Sequence, residues 1–452
     1  MKNKVENIII GFGKAGKTLA FYLGKQGQRT ILIEQLPKMY GGTCINVGCI
    51  PSKSLNVKAD RKKYNSYDPA EYYSKSMGEK KNLIALLNKA NYDKVANVEG
   101  VEVIDGVASF IDEHRVMVEK DGTQTEYVAE RIFINTGAES FVPKIEGLVL
   151  SERILTSETL MDLEILPKKL AIIGGGFIGL EFAKTYAQYG SEVTILDSSD
   201  RFMEREDDDV AEEVLKSLEA LGIRIVMKAK IEKVSEVADQ TTICYELNGE
   251  KREIVQDYIL VSTGRRPNVA KLKPENAGIE LSERGSIAVN EFLQTNKSHI
   301  FALGDVNGGP NFTYISFDDF RIVRNFLQGD LSYSTKNRTF IPTSVFLHPT
   351  LSKVGLSEKE AIKNGYDIRV FKMPASMIPK AKVLGNQIGL YKAIVDKKTN
   401  KILGATLFAE ESHEVINIIA TAMACNADYT VLKNQIFTHP TMAEALNDLF
   451  SM

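Results

Sequence analysis

The pattern of apolar and polar positions divides the chain into alternating elements. Val5–Ile10 reads as a buried parallel strand. It runs into Gly11-Phe12-Gly13-Lys14-Ala15-Gly16, then into an apolar helical pattern through Leu23. A second strand, Thr30–Ile33, ends in Glu34. Residues 54–100 are polar and read as helical, Val101 to Glu119 alternates as strands, and Arg131–Thr136 is a strand ending in Gly137. The opening unit then recurs. Lys169–Ile173 is a strand, Gly174-Gly175-Gly176-Phe177-Ile178-Gly179 a turn, Glu181 to Tyr189 a helix, and Glu192–Leu196 a strand ending in Asp197.

Residues 142–168, punctuated by Pro143, Gly147 and Pro167, read as a crossing between domains. A further strand-end glycine stands in Ser262-Thr263-Gly264-Arg265, and Ile300 to Val306 reads as an apolar strand ending in the carboxylate Asp305. After Gly329, strands at Thr343–Phe346, Leu390–Asp396 and Lys401–Ala409 alternate with amphipathic helices. The expected fold is α/β: two Rossmann-like dinucleotide-binding domains and a C-terminal α+β interface domain. The expected boundaries are 1–147, 148–266, a return to the first domain over 267–335, and 336–452.

Composition narrows the possible functions. The chain has 452 residues, 44% hydrophobic and 25% charged, as expected of ordinary globular protein. A net charge of −3 argues against a nucleic-acid partner. No apolar run reaches the roughly 20 residues of a membrane helix, so no membrane partner is expected. Met1-Lys2-Asn3-Lys4 and the apolar stretch after it resemble a signal peptide, but Gly11, Gly13 and Lys14 interrupt it. A reducing cytoplasmic location is therefore expected, where a disulfide is more often catalytic than structural.

Each glycine turn permits close approach of backbone to a pyrophosphate at a helix N-terminus. Glu34 and Asp197 stand where an acid accepts adenosine ribose hydroxyls, which makes Gly11, Gly13, Gly16, Gly174, Gly176 and Gly179 candidate cofactor contacts. An Asp at a strand's C-terminal end, as at Asp305, faces the ligand crevice, although a simple helix cap has the same appearance.

Cys44 and Cys49 lie in Gly41-Gly42-Thr43-Cys44-Ile45-Asn46-Val47-Gly48-Cys49-Ile50-Pro51-Ser52-Lys53. A regular helix places i and i+5 on different faces, so a bond between them needs a distorted turn, which Gly48 and Pro51 can supply. A helix N-terminus and Lys53 would both lower a thiol pKa. The pair could be structural thiols or half of a metal site. Zinc pairs, however, sit two to four residues apart with two further ligands nearby, and none are seen here. No metal is expected, and the pair reads as a redox disulfide. Two dinucleotide units with such a pair make FAD and a nicotinamide the economical cofactors. Cys244 and Cys425 are single, in stretches that read as core strand and core helix. In the tail, His439 precedes Pro440, and Glu444 follows within reach to orient the imidazole for acid/base work.

Taken together, Gly-Gly-Thr-Cys…Gly-Cys-Ile-Pro-Ser-Lys at 41–53, both glycine turns, Thr136-Gly137, Thr263-Gly264-Arg265, Gly304-Asp305 and His439-Pro440…Glu444 resemble the pyridine nucleotide–disulfide oxidoreductases of the glutathione reductase and dihydrolipoamide dehydrogenase type. The resemblance covers the whole chain. It implies FAD, NADH or NADPH, and a homodimer in which residues 44–53 of one subunit meet His439 and Glu444 of the other. It also implies that Cys49 faces the flavin, that Cys44 is the attacking thiol, and that Lys53 and Glu181 pair near the flavin. Gly42, Thr43, Lys53, Thr136, Gly137, Gly264, Arg265 and Asp305 join the implied cofactor contacts.

Gly11 to Thr18, Met39-Tyr40-Gly41-Gly42, Phe312 to Ser316 with Asp318-Asp319, and Asn447 to Phe450 are similar to the bacterial reactive-chlorine-resistance flavoproteins, which act as hypothiocyanous acid reductases. The implied substrate is a small oxidant. Typical mercuric reductases carry an added metal-binding domain and a C-terminal cysteine pair that are not seen here. Dihydrolipoamide dehydrogenases usually carry a second histidine where Ile436-Phe437 stand. Dihydrolipoamide dehydrogenase activity, or a flavin-bound redox sensor without turnover, are the alternatives. Asp197, followed by Ser198-Ser199-Asp200-Arg201, predicts NADH over NADPH. Arg201 and Arg205 could instead clamp a 2′-phosphate, but the acids Glu206 to Asp209 make solvated ion pairs the expectation for them.

Overall fold

A computed structural model describes residues 3–62 and 66–452. Met1 and Lys2 of the leader-like start, and 63–65 within the polar stretch read as helical, lie outside the described residues.

The first sheet has the strand order Val101–Asp105, Thr30–Glu34, Lys4–Ile10, Thr123–Ile134, Arg115–Lys120, Val107–Phe110, with Ile300–Ala302 also pairing Thr123–Ile134. Its pairings are parallel around Lys4–Ile10 and antiparallel at the Arg115–Lys120 edge. Ile8, Ile10, Ile31, Ile33, Ile132 and Ile134 bury one face, and Ile9, Leu32, Phe133 and Phe301 bury the other. Burial on both faces is why these strands read as near-continuous apolar runs.

The second sheet is wholly parallel: Arg224–Val226, Glu192–Leu196, Lys169–Ile173, Tyr258–Val261, Ile154–Thr156. Part of the stretch read as a crossing is therefore an edge strand of this sheet. An antiparallel meander, Lys230–Val237, Gln240–Leu247 and Glu250–Gln256, packs Val234, Ile243 and Tyr245 against this sheet's Ala171, Ile173 and Val261. The third sheet is antiparallel, Thr343–Val345, Leu351–Gly355, Ile402–Phe408, Leu390–Asp396, Ile368–Pro374, and carries the helix Ser412–Ala424.

Some expectations change in detail. The strand expected to reach Val306 stops at Ala302, and Asp305 opens a short helical turn after Gly304, whose φ is 75°. Cys425 is the exposed C-cap of Ser412–Ala424, not core. Cys244 is half-buried, its thiol 3.3 Å from Glu253 Oε1. Glu206 to Asp209 are not solvated partners of the arginines before them, Asp208 excepted. Lys392, 3% exposed, lies 3.0 Å from Asp207 Oδ2, 3.0 Å from Asp209 Oδ1 and 2.7 Å from Glu358 Oε2. Lys353 takes Glu206 at 2.6 Å. These pairs tie the second sheet's domain to the third. A buried cation with three carboxylates costs far more to unpair than a surface pair.

Candidate functional site

A cleft of about 2030 Å³ runs between the sheets. Gly11, Gly13, Glu34, Gly42, Thr43, Thr136, Gly137 and Asp305 line it, together with Cys44, Cys49, Lys53 and Glu181. So do Gly174, Gly176, Asp197, Gly264 and Arg265. Two expected contacts do not line it. A Cβ on Gly16 would lie 2.3 Å from Gly11 O, and one on Gly179 would lie 2.2 Å from Gly174 O. Both glycines let a helix pack tightly on its strand and act one step behind the cleft.

The two turns are suited to dinucleotides. Gly11 has φ 107°, and a Cβ there would sit 2.2 Å from Asn135 O. The helices that follow, Lys14–Lys25 and Phe177–Tyr189, have glycine N-caps, no side-chain cap and no acid in the first turn. Such helix starts leave N–H groups and the positive end of the dipole for an anion. Glu34 receives Phe12 N (3.0 Å) and Leu36 N (3.2 Å), and burial holds its carboxyl above the usual range. Asp197 receives Gly175 N at 2.5 Å and Ser199 N at 2.7 Å. Burial would raise its pKa, but the Ser199 hydroxyl and these two N–H groups prevail and hold it below the usual range. Burial raises Asp305, and the Arg265 guanidinium opposes that rise.

Asn135 was not singled out in the sequence. Its Oδ1 accepts from Gly16 N at 2.9 Å and its Nδ2 donates to Leu303 O at 2.6 Å. It pins the first turn to the strand that leads into Asp305. An Asn two residues before a strand-end glycine was the only signal for it.

The distorted turn between the cysteines is present. Cys44 lies in the one-turn helix Thr43–Asn46, Val47 leaves helical geometry at φ −140°, and Cys49 begins the helix Cys49–Lys62. A Cβ on Gly48 would lie 2.9 Å from Thr43 O, so only glycine lets the chain fold back there. The two thiols hydrogen-bond each other. The bond from Cys44 lowers the Cys49 thiol to about 6, against the effect of burial; the Thr313 hydroxyl, 3.7 Å away, and Lys53 assist. Cys44, donating that bond and partly buried, is pushed up. Lys53 Nζ meets Glu181 Oε2 at 2.5 Å and lies 4.7 Å from the Phe346 ring centre. Glu181 Oε1 accepts from Phe346 N at 2.9 Å.

His439 Nδ1 lies 2.9 Å from Glu444 Oε2, and Glu444 Oε1 accepts from Thr441 N at 3.1 Å. The His439 hydrogen bond, helped by that from Thr441 N, holds Glu444 below the usual range. The dyad is not in the cleft of its own chain, and the His439 side chain is 71% exposed. Arg201 pairs with Asp208 at 2.6 Å on the surface, whereas Arg205 lines the cleft beside Ser198 and Ser199.

Residues 5–319 match the family described as pyridine nucleotide-disulphide oxidoreductase, and residues 341–450 match its dimerisation domain. The chain belongs to that family. Membership implies FAD, a pyridine nucleotide and a homodimer. Among relatives, the "probable pyridine nucleotide-disulfide oxidoreductase RclA" of Escherichia coli (strain K12) is 44% identical over 452 residues, 100% of this chain and 99% of that protein. A mercuric reductase of Staphylococcus aureus is 31% identical over 97% of this chain and 80% of its own length. A dihydrolipoyl dehydrogenase of Geobacillus stearothermophilus is 30% identical over 98% and 94%. The solved structure of the E. coli HOCl-induced flavoprotein disulfide reductase RclA superposes with a TM-score of 0.93 at 44% identity, covering 99% of each chain. Its Cu(II) complex superposes at 0.94 and 43% identity, again over 99% of each. Among the described residues, no helix is long and apolar enough to cross a membrane, and no group of three or more His, Cys, Asp or Glu could hold a metal ion.

Proposed function

We propose that this flavoprotein disulfide reductase uses a reduced nicotinamide to convert hypothiocyanous acid to thiocyanate in the cytoplasm, through Cys44 and Cys49. The observation that carries the proposal is the unequal thiol pair at the junction of both dinucleotide turns, with Cys49 held as a thiolate and Cys44 beside it. The likeness to a reductase described as HOCl-induced supports an oxidised chlorine-derived or pseudohalogen substrate.

FAD would be held by Gly11, Gly13, Glu34, Gly42, Thr43, Thr136, Gly137 and Asp305, with Lys53 at its reactive end. The nicotinamide dinucleotide would be held by Gly174, Gly176, Glu181, Asp197, Gly264 and Arg265. The bound flavin supplies two-electron transfer between nicotinamide and the cysteine pair. Glu181 keeps Lys53 at the Cys49 side of the junction, and Lys53 favours negative charge there. The Cys44 proton passes to Cys49, and the resulting Cys44 thiolate attacks the sulfur of hypothiocyanous acid, forming an S–S bond and breaking the S–O bond. His439 of the partner subunit, oriented by its glutamate, protonates the departing hydroxide to water. Cys49 then returns its proton to that histidine and attacks the Cys44 sulfur, closing the disulfide and expelling thiocyanate.

A panel of oxidants with purified protein and NADH or NADPH tests this reading. Hypothiocyanous acid is expected to be turned over, with Cys44→Ser and Cys49→Ser inactive but retaining flavin. Faster turnover of lipoamide, or hypothiocyanous acid reduction by either serine variant, would refute it.

A further inference from the structure

Each thiol of the pair has its own lysine. Lys53 stands in the same helix as Cys49, one turn on. Lys17 lies in the helix after the first glycine turn and reaches under the loop that carries Cys44. Its Nζ donates to Gly41 O at 3.3 Å and to Asn91 Oδ1 at 2.5 Å. Gly41 packs on both neighbours: a Cβ there would lie 3.0 Å from Ile45 and 3.4 Å from Asn91. The ammonium is thereby tethered beneath the turn three residues before Cys44, and the Lys17 and Cys44 charges act on each other.

With one proton between them, the two sulfurs share a single negative charge across the S–H···S bond. Lys53 and the Thr313 hydroxyl draw that charge to Cys49, while Glu181 and burial oppose it there. On the Cys44 side, Lys17 and Thr313 favour the charge, and the Cys49 thiolate and burial disfavour it. Tyr314 also faces Cys49, and its hydroxyl is raised to about 12 by burial, so it stays neutral. Lys17 itself is lowered to about 8 by burial and by Lys14 and Lys94, while Cys44 acts in the other direction; at neutral pH it is still mostly charged.

We propose that Lys17 is a positioning residue that sets how much of the pair's thiolate charge resides on Cys44, and so how fast Cys44 attacks an electrophile. This rests on the reading that Cys44 is the attacking thiol. Lys17 touches neither the substrate nor the reacting sulfur in this account; it acts through the field beneath the turn. Lys53 holds the charge on the inner sulfur between turnovers, and Lys17 makes its transfer to the outer sulfur accessible.

Iodoacetamide reads the charge directly. The attacking sulfur forms an S–C bond, the C–I bond breaks and iodide leaves, in proportion to thiolate at that sulfur. Flavin-loaded enzyme reduced with dithiothreitol would be pulsed with iodoacetamide from about pH 6 to about pH 9. Rates at Cys44 and Cys49 would be read by peptide mass spectrometry. Near neutral pH, Lys17→Gln, which keeps a polar side chain and removes the charge, is expected to label Cys44 about tenfold more slowly than wild type, with labelling of Cys49 rising. Lys17→Arg is expected to stay within about twofold of wild type. Equal Cys44 rates in wild type and Lys17→Gln across the pH range would overturn the proposal. So would a Lys17→Arg as slow as Lys17→Gln, which would show packing rather than charge. Flavin content checks each variant's fold. Should the glutamine variant lose its flavin, Asn91→Leu, which frees the ammonium from its tether, must slow Cys44 or the proposal fails. Cys49, which carries most of the charge, is expected to label as well; no labelling of Cys44 in wild type at any pH would refute the underlying assignment of the attacking sulfur, a result separable from the others.

Discussion

Lys53 and Glu181, 128 residues apart in the chain, meet at 2.5 Å between Nζ and Oε2, behind the Cys49 thiol. The pair has consequences of opposite sign for that thiol. Lys53 favours the thiolate, and Glu181 disfavours it. Lys53→Met removes the attraction and leaves Glu181 unpaired, so the acid limb of thiol labelling is expected to move from near pH 6 to higher pH, by about one unit. Glu181→Gln is expected to move it the other way. Alkylation rate against pH measures both. Identical limbs in the two variants would show that the ion pair does not govern the thiol.

The two packing glycines are expected to affect different cofactors. Gly16→Ala drives a methyl against Gly11 O and the Asn135 side chain, at the first turn. It is expected to yield protein with little or no FAD. Gly179→Ala creates the same collision at Gly174 O and Ser262 Oγ. It is expected to keep FAD and to weaken nicotinamide dinucleotide binding by about tenfold or more, since strain in a packed turn costs about 1–3 kcal/mol. Flavin absorbance and titration with NADH distinguish the outcomes. Loss of FAD in both would mean that the turns fold as one unit.

The His439–Glu444 dyad tests whether the sites are shared. A positioned acid contributes about 10²- to 10⁴-fold, so His439→Ala is expected to lower kcat/KM by that factor, and Glu444→Gln by about 10- to 100-fold. Mixed dimers of Cys44→Ser and His439→Ala subunits are expected to regain activity, because one of their two sites then holds both groups. A verified mixed dimer as inactive as its parents would disprove sharing.

Cofactor preference is expected to depend on a carboxylate that already serves the backbone. Asp197 accepts from Gly175 N and Ser199 N and stays ionised, so it is expected to repel a 2′-phosphate. NADH is expected to be preferred. Asp197→Ala is expected to raise relative NADPH efficiency by about ten- to hundredfold, that is about 1–3 kcal/mol. Arg201→Ala is expected to change neither cofactor's kcat/KM, because Arg201 is committed to Asp208 at the surface. Arg205 faces the cleft, so Arg205→Ala is expected to depress whatever NADPH use the enzyme has. A wild-type preference for NADPH that Arg205→Ala abolishes would transfer the selector's role from Asp197 to Arg205.

Much of this was legible along the chain because the information is local. A strand, a glycine turn and a helix N-terminus are contiguous, so both dinucleotide units, with Glu34 and Asp197 at their strand ends, could be read from spacing. The break between Cys44 and Cys49 is also local: Gly48 cannot hold a Cβ against Thr43 O, and that steric fact is written in a few residues. Of the antiparallel meander over 230–256 only the middle strand was legible, read as a core strand around Cys244; Lys230–Val237 is broken by a register shift between Ile231 and Lys233, and Glu250–Gln256 is mostly exposed and polar.

What only the tertiary structure decided are the pairings that cross between domains. Glu206, Asp207 and Asp209 looked like solvated acids beside two arginines, yet they meet Lys353 and Lys392 from a sheet more than a hundred residues away. Asn135, not singled out in the sequence, holds the first glycine turn against Leu303. Nothing in the sequence singled out Lys17, whose ammonium meets Gly41 O and Asn91 Oδ1 beside the cysteine loop. Steric and helical rules act over a few residues and leave their mark in sequence order. The free energy of a buried charge depends on which carboxylate, carbonyl or thiol the fold brings within a few ångströms, and the order of residues does not contain that distance.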